Sequence, residues 1–420
     1  MKFILASSII FALISSSIAC FGGSGNQCCA PTQPSCGNPC GGGAAIGPAA
    51  YPAYSPQSYA LPPPPPPPPS TYVQPMPYPV AGGGGAYQTA GKMALDLNKR
   101  VYNHKPGPCR QVKGPVYGSE DVDIIPHKNI AFITSGMVYM PDDTWNITWK
   151  GQIYKYDLSK REYSAESVKI VDLDNEDGFH PHGMSHLILE DGTIRLFIVV
   201  HTKQFQHEVV ILDYDENLNI LRHVKTIRDS KFIRPNDIIA TGPDSFLISN
   251  DGSAQNHLAN KFEVLFGFYG GSVVYFDGKV SKYLLEKIPA NGISLSKDRK
   301  TLFVSLVNQE IIGVYTWNQE TQDITPISEI STLTGCDNFH INEDGLLWSD
   351  PKFIAPSQIL VAKFSKDYNS AQFIELLADD GKFISASSIA AAFDSNRQLL
   401  IGKVGRGLYH CDINIPIDFI

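Results

Sequence analysis

Between Cys109 and Cys411 the chain carries six short apolar, β-prone runs that each end on small or polar residues: IAFITSG from Ile130, LFIVVHT from Leu196, SFLISND from Ser245, TLFVSLV from Thr301, LLWSD from Leu346 and LLIGKV from Leu399. They recur at about 45 to 65 residues, a self-similarity that marks a repeat architecture. Some 8 to 14 residues before each run stands a polar cluster, followed by a short apolar stretch and a turn. The clusters are SED (Ser119 to Asp121), HPHG (His180 to Gly183), PND (Pro235 to Asp237), ANG (Ala290 to Gly292), CDN (Cys336 to Asn338) and ASS (Ala386 to Ser388). Turn signals such as GPD, SKD, EDG and DSN separate the two strands. Six units of four short strands predict an all-β fold, a six-bladed β-propeller over residues 95–420. The innermost strand of each blade then opens on its polar cluster, and the clusters converge on one axial channel. A sandwich or two stacked barrels could use this strand spacing, but neither explains why the same place in every unit is polar. Outside the strands, a short helix is expected within Ala254 to Phe266.

The N-terminal part has a different character. MKFILASSIIFALISSSIAC gives one Lys, an apolar run from Phe3 to Ile14 and small residues before Cys20, which reads as a secretory signal over residues 1–19 cut after Ala19. An uncleaved signal anchor is the alternative, although the apolar core is short for a span of about 20 residues. From Phe3 to Gly91 there is no charged residue, and the segment contains eight consecutive prolines (Pro62 to Pro69) and a GGGG run (Gly82 to Gly85). Such a segment cannot bury a core, so residues 20–94 are expected to form a disordered, partly polyproline II tail. Its tyrosines, spaced among prolines, suit a passive spacer or an extracellular-matrix or membrane-surface partner.

Charge and cysteines narrow the function. A net charge of −8 gives no basic field for phosphates, so nucleic acid is not an expected partner. Five cysteines lie in the tail (Cys20, Cys28, Cys29, Cys36 and Cys40) and three in the domain (Cys109, Cys336 and Cys411). In an exported protein disulfides are the default for both groups. Asn146-Ile-Thr is a glycosylation sequon.

The clusters themselves carry chemistry. Glu120, Asp121, Asn236, Asp237, Asn291, Asp337 and Asn338 stand at inner-strand starts, and carboxylates mixed with amide oxygens are the ligands of a hard cation such as Ca²⁺. Neighbours on a strand point to opposite sides, so the pairs Glu120/Asp121 and Asn236/Asp237 are expected to feed two separate ions along the axis. His182 shares this channel, where a neutral imidazole could deprotonate water beside an electrophilic cation. No Gly-x-Ser-x-Gly elbow is present.

At VKGPVYGSEDVDIIP, AFITSG, FHPHGMS, RPNDIIATGP, SNDG, ANGISLS, CDNFHIN and LLIGKVGRGLYHC the chain resembles the serum paraoxonase/arylesterase family, collinearly from about Cys109 to Cys411. The resemblance implies a secreted hydrolase of aryl esters or lactones with two calcium ions. It assigns Glu120, Asn236, Asn291, Asp337 and Asn338 to a catalytic ion, and Asp121, Asp237 and the Met184 carbonyl to a structural one. It implies a Cys109–Cys411 disulfide between first and last strands, and a histidine pair with His182 as one member. The family's second histidine follows Val-Val-Asn, whereas here Val199-Val200-His201-Thr202 places the imidazole one residue early. On a regular strand that shift turns His201 to the opposite face unless a bulge restores the register. Asp251 in SNDG is then a rival base. The tail lies outside the family pattern. A non-catalytic scaffold with structural calcium is the alternative function.

Overall fold

The computed structural model describes residues 101–138, 149–174, 178–202, 204–332, 334–341, 347–349 and 356–417. The expected export signal, the tail and the Asn146 sequon lie outside the described residues. The rest is built almost wholly of strands. A single α-helix, His257–Phe266, is described, inside the stretch where a short one was expected. Asn256 caps it through a hydrogen bond from the Ala259 amide.

Among the described residues, twenty-four strands are arranged as antiparallel four-stranded units. Their innermost strands are Val122–Ile125, His180–Ile188, Pro235–Gly242, Ala290–Leu295, Phe339–Ile341 and Ser387–Phe393. The six apolar runs read from the sequence form the second strand of each unit. The last unit takes its outermost strand, Cys109–Val112, from the start of the domain, where it pairs with Leu408–Asp412. Cys109 and Cys411 are opposite one another in that pairing and form a disulfide. The first two units merge into one eight-stranded sheet, because Lys169–Val171 runs parallel to Ile220–Arg222 at their outer edges.

The apolar runs are continuous because both faces of each strand are covered. Along Ile194–His201, Leu196, Ile198 and Val200 pack towards the first unit with Phe132 and Ile153, while Phe197 and Val199 pack towards the third with Phe246 and Ile248. Period-two alternation thus sends successive residues into different interfaces. Six separate apolar clusters fill the six interfaces, the last joining Val122 and Ala131 of the first unit to Leu400 of the sixth. The ring is therefore closed by hydrophobic contact as well as by sulfur. This is the β-propeller architecture that the repeat pattern indicates.

Four inner strands carry the same irregularity. Between Pro181 and Met184, Pro235 and Ile238, Ala290 and Ile293, and Ser387 and Ile389, the inner strand has one residue more than its partner. These β-bulges fall on the polar clusters, where a local kink re-aims side chains. Two of the clusters also contain a glycine that lets the next inner strand approach. A Cβ on Gly183 would lie 2.6 Å from Asp237 Cα, and one on Gly292 would lie 2.3 Å from the Asp337 carbonyl oxygen.

Candidate active site and metal centre

All seven acidic and amide residues picked out at inner-strand starts are buried. Asp121 and Asp237 repeat one arrangement two units apart. Each accepts the amide of its own successor on Oδ1, Val122 or Ile238, at 2.7 Å. On Oδ2 each accepts an amide from the next inner strand, Met184 N at 2.6 Å or Ile293 N at 2.8 Å. Each also donates its own amide to a second-strand hydroxyl, Thr134 or Ser249, at 3.0 Å. Burial, followed for Asp121 by repulsion from Asp237 and Glu120, raises both carboxyls well above the ordinary Asp range. A cation between them would relieve that repulsion.

Asp121, Met184 and Asp237 line an axial cavity of about 900 Å³, together with Asp123, His186 and Phe339. Glu120, Asn236, Asn291, Asp337 and Asn338 are not among its lining residues. Of the two expected sets, one lines this cavity and the other does not. The reason is not simple alternation, since the Asn236–Asp237 pair sits within a bulge.

In the second set, Glu120 Oε1 accepts from Asn338 Nδ2 at 2.8 Å, and Asn236 Nδ2 donates to Asp251 Oδ2 at 3.4 Å. Spending the amide nitrogens this way fixes which atom of Asn236 and Asn338 is the oxygen. The oxygens Asn236 Oδ1, Asn291 Oδ1 and Asn338 Oδ1 are buried and have no hydrogen-bond partner. A buried amide oxygen left unsatisfied costs about 1–3 kcal/mol, so three of them in one ring call for a ligand. Among the described residues no group of three or more His, Cys, Asp and Glu side chains is placed to hold a metal. This set instead offers two carboxylates and three neutral amides, a donor mixture that suits calcium better than transition metals.

His182 lies beside this set, with Nε2 3.5 Å from Glu120 Oε1. Its Nδ1 is 2.8 Å from His201 Nε2, so the structure does not turn His201 away. The bulge is the reason. Pro181 pairs with Val200 and Met184 with Ile198, leaving His182 and Gly183 opposite Val199 alone, and the re-aimed His182 reaches the imidazole that stands one residue early.

His201 Nδ1 in turn lies 2.9 Å from His207 Nδ1, a residue the sequence reading missed. A signal for it existed: HTKQFQH holds two histidines flanking a five-residue turn, and the hairpin pairs them directly. Burial pushes His201 well below the usual histidine range, reinforced by the neighbouring His182 and His207, and pushes His207 down to about 4.

Asp251 is placed differently from the expectation of a base. Its Oδ1 takes the Arg234 Nε–H, both side chains being under 9% exposed. Arg234 also donates to Asn260 Oδ1 at 3.0 Å, which ties the helix to the site. Cys336, next to Asp337, is a buried thiol.

A buried ring of oxygen donors beside paired imidazoles, at the centre of a propeller, is a setting for the hydrolysis of esters or lactones. More particularly, the Arylesterase family model matches residues 101–413, and the chain belongs to that family. Its curated relatives include serum paraoxonase/arylesterase 2 of Gallus gallus, 29% identical over 73% of this chain and 88% of the relative. Serum paraoxonase/lactonase 3 of Rattus norvegicus is 27% identical over 79% and 97%. Among solved structures, a gluconolactonase from Xanthomonas campestris matches with TM-score 0.47 and 15% identity, over 73% of this chain and 89% of that one. Regucalcin from Agrobacterium tumefaciens, a calcium-binding protein, matches with TM-score 0.45 and 11% identity over 74% and 96%. Among the described residues no helix is long and apolar enough to cross a membrane.

Proposed function

We propose that this protein is an exported, calcium-dependent hydrolase of small apolar esters, aryl esters or lactones. The observation that carries the reading is the ring of Asn236, Asn291 and Asn338 oxygens, buried without partners next to the His182–His201 pair. Glu120, Asn236, Asn291, Asp337 and Asn338 would hold the catalytic ion, and Asp121, Asp237 and the Met184 carbonyl a structural one. When bound, calcium supplies a Lewis acid that stabilises negative charge on the substrate carbonyl oxygen. The protein's own residues do the rest. His182 Nε2, buried beside Glu120 Oε1 at 3.5 Å, accepts a proton from the attacking water as its oxygen bonds to the carbonyl carbon. It returns that proton to the departing alkoxide or phenoxide as the ester C–O bond breaks. Asp251, neutralised by Arg234, orients the Asn236 amide so that its oxygen faces the ring.

The test is hydrolysis of phenyl acetate and a δ-lactone by calcium-replete protein, abolished by EDTA and by Asn291→Ala. No turnover above background in disulfide-intact, calcium-replete protein would sink the proposal. The scaffold reading draws on a second histidine out of register and on the tail, and the His182–His201 contact at 2.8 Å speaks against the first of these. Export rests on the signal-like residues 1–19 and is tested by N-terminal sequencing of secreted protein, which should begin at Cys20. Glycosylation at Asn146 and a matrix or membrane-surface partner for the tail belong to the same proposal. Glycosidase treatment and a tail-deleted variant test them.

A further inference from the structure

We infer that the structural calcium ion is loaded and released through a mouth of its own, on the side of the propeller opposite the histidines. The inference rests on the two-ion assignment proposed above and extends it from where that ion is held to how it exchanges.

The axial cavity of about 900 Å³ that takes in Asp121, Met184 and Asp237 also reaches Asn129, Lys297 and Ser395, all exposed. These three stand in turns that join the inner to the second strands of the first, fourth and sixth units. Inner strands start at their polar clusters and run towards these turns, so the cavity opens at the far end of the strands from Glu120 and His182. Exposure rises in that direction. Asp121 is 4% exposed, whereas the side chains of Asp123 and His186, two residues further along the first two inner strands and paired at 2.7 Å, are 18% and 24% exposed. Asp123 thus presents a carboxylate between the solvent and Asp121. A water takes up about 30 Å³, so the cavity has room for a cation together with its hydration shell.

Passage towards the histidines is closed by the backbone. Each neighbouring pair of inner strands is drawn together where the two donor sets meet. Met184 N donates to Asp121 Oδ2 at 2.6 Å and Ile293 N to Asp237 Oδ2 at 2.8 Å. Gly292 N donates to Asp337 O and Asn338 N to Ser388 O, both at 3.0 Å, and Ser388 Oγ donates to Glu120 O. Between the second and third units, the absence of a side chain on Gly183 lets the strands meet, since a Cβ there would lie 2.6 Å from Asp237 Cα. An ion held by Asp121, Asp237 and the Met184 carbonyl therefore has this girdle on one side and the cavity on the other. Parting the girdle would break several buried hydrogen bonds at once, whereas the cavity asks only for rehydration.

The experiment is calcium release from the full-length, calcium-loaded protein into excess fluorescent chelator, followed by stopped flow. Two phases are expected, and Asn291→Ala identifies the catalytic ion's phase by accelerating it. Ser294→Trp and Ile239→Trp fill the cavity from adjacent inner strands, at partly exposed positions. Each is expected to slow release of the structural ion by at least about ten-fold, about 1.4 kcal/mol of barrier, with the catalytic phase within about two-fold of wild type. Loading slows by the same factor, because a blocked mouth raises the barrier in both directions. The affinity, read as the calcium dependence of Tm, then stays unchanged. Wild-type rates for the structural phase in the folded variants overturn the inference. So does equal slowing of both phases, which means a shared mouth, and so does a shifted calcium midpoint without slowing. A protein that releases fewer than two calcium ions overturns the two-ion assignment and the inference with it. Absence of phenyl acetate hydrolysis in a protein that releases two ions sinks the hydrolase reading alone.

Discussion

Replacing Gly292 by alanine tests how tightly the inner strands are drawn together. The new methyl would lie 2.3 Å from the Asp337 carbonyl oxygen and 2.7 Å from Asn338 Cα, where ordinary contacts begin at 3.4 Å. That carbonyl is itself held by the Gly292 amide at 3.0 Å, so the two strands must part by about 1 Å. Gly292 is not among the positive-φ residues, and alanine can adopt its backbone conformation. Restricting the unfolded chain therefore favours alanine by about 0.4–1 kcal/mol, against about 1–3 kcal/mol for overpacking a dense interior. The expected net loss is about 1–2 kcal/mol, or a Tm lower by about 2–6 °C. A larger effect is expected on calcium, because Asn291 and Asn338 flank the contact. Displacing supported ligands weakens metal binding by about 10–100-fold. The assay is the calcium dependence of Tm, since bound ligand stabilises by RT ln(1 + [L]/Kd). Gly405→Ala is the control, as no atom lies within 4 Å of a Cβ there. A Gly292→Ala protein with a wild-type calcium midpoint would refute either the close approach of the strands or the assignment of the flanking amides as ligands.

Three further outcomes follow from the same geometry. The Cys109→Ala/Cys411→Ala variant should lose about 5–6 kcal/mol in urea unfolding, because the bridge spans 302 positions of sequence and the loop-entropy model rises with loop length. A loss under about 1 kcal/mol would contradict that model here. Arg234→Ala leaves the Asp251 carboxylate, 8% exposed, without its cation, and should cost about 3–5 kcal/mol. Adding Asp251→Asn should recover most of it, and failure to recover would show that the pair is not the source. His410 accepts the Tyr156 hydroxyl at 2.7 Å and meets Gln398 Oε1 at 2.9 Å, and burial pushes it down to about 4. Its folded pKa is depressed, so the stability it contributes is complete above the unfolded value near 6.5 and is lost as pH falls towards about 4, by up to about 3 kcal/mol. His410→Gln should flatten Tm against pH in that window. An unchanged slope would place the acid sensitivity elsewhere.

Much of the fold was readable in the sequence because a propeller strand is buried on both faces. It therefore reads as an unbroken apolar run, and a polar start to such a run stands out, as at Asn236-Asp237 and Asn291. The direction in which those polar side chains point was not readable. Alternation along a strand assumes one residue against one, and the bulges at His182, Asn236, Asn291 and Ser388 break that count. Whether His201 faces His182 turned on such a bulge, which residue spacing alone does not reveal. His207 escaped because its significance depends on a hairpin pairing, whereas the reading followed single strands. The pairing of Arg234 with Asp251 is likewise a contact between residues 17 apart in sequence, and no spacing rule marks it.

The sulfur bond between Cys109 and Cys411 has a consequence for the life of the molecule. Everything between those two residues, including the strands that carry both donor sets and all three active-site histidines, is one covalent circle. A protease that cuts once within it opens the circle into a line and releases nothing. The two new ends remain attached to the same molecule, the inner strands stay within reach of one another, and the ring can close again. A second cut, or reduction of the bond, is needed before any part of the site can diffuse away.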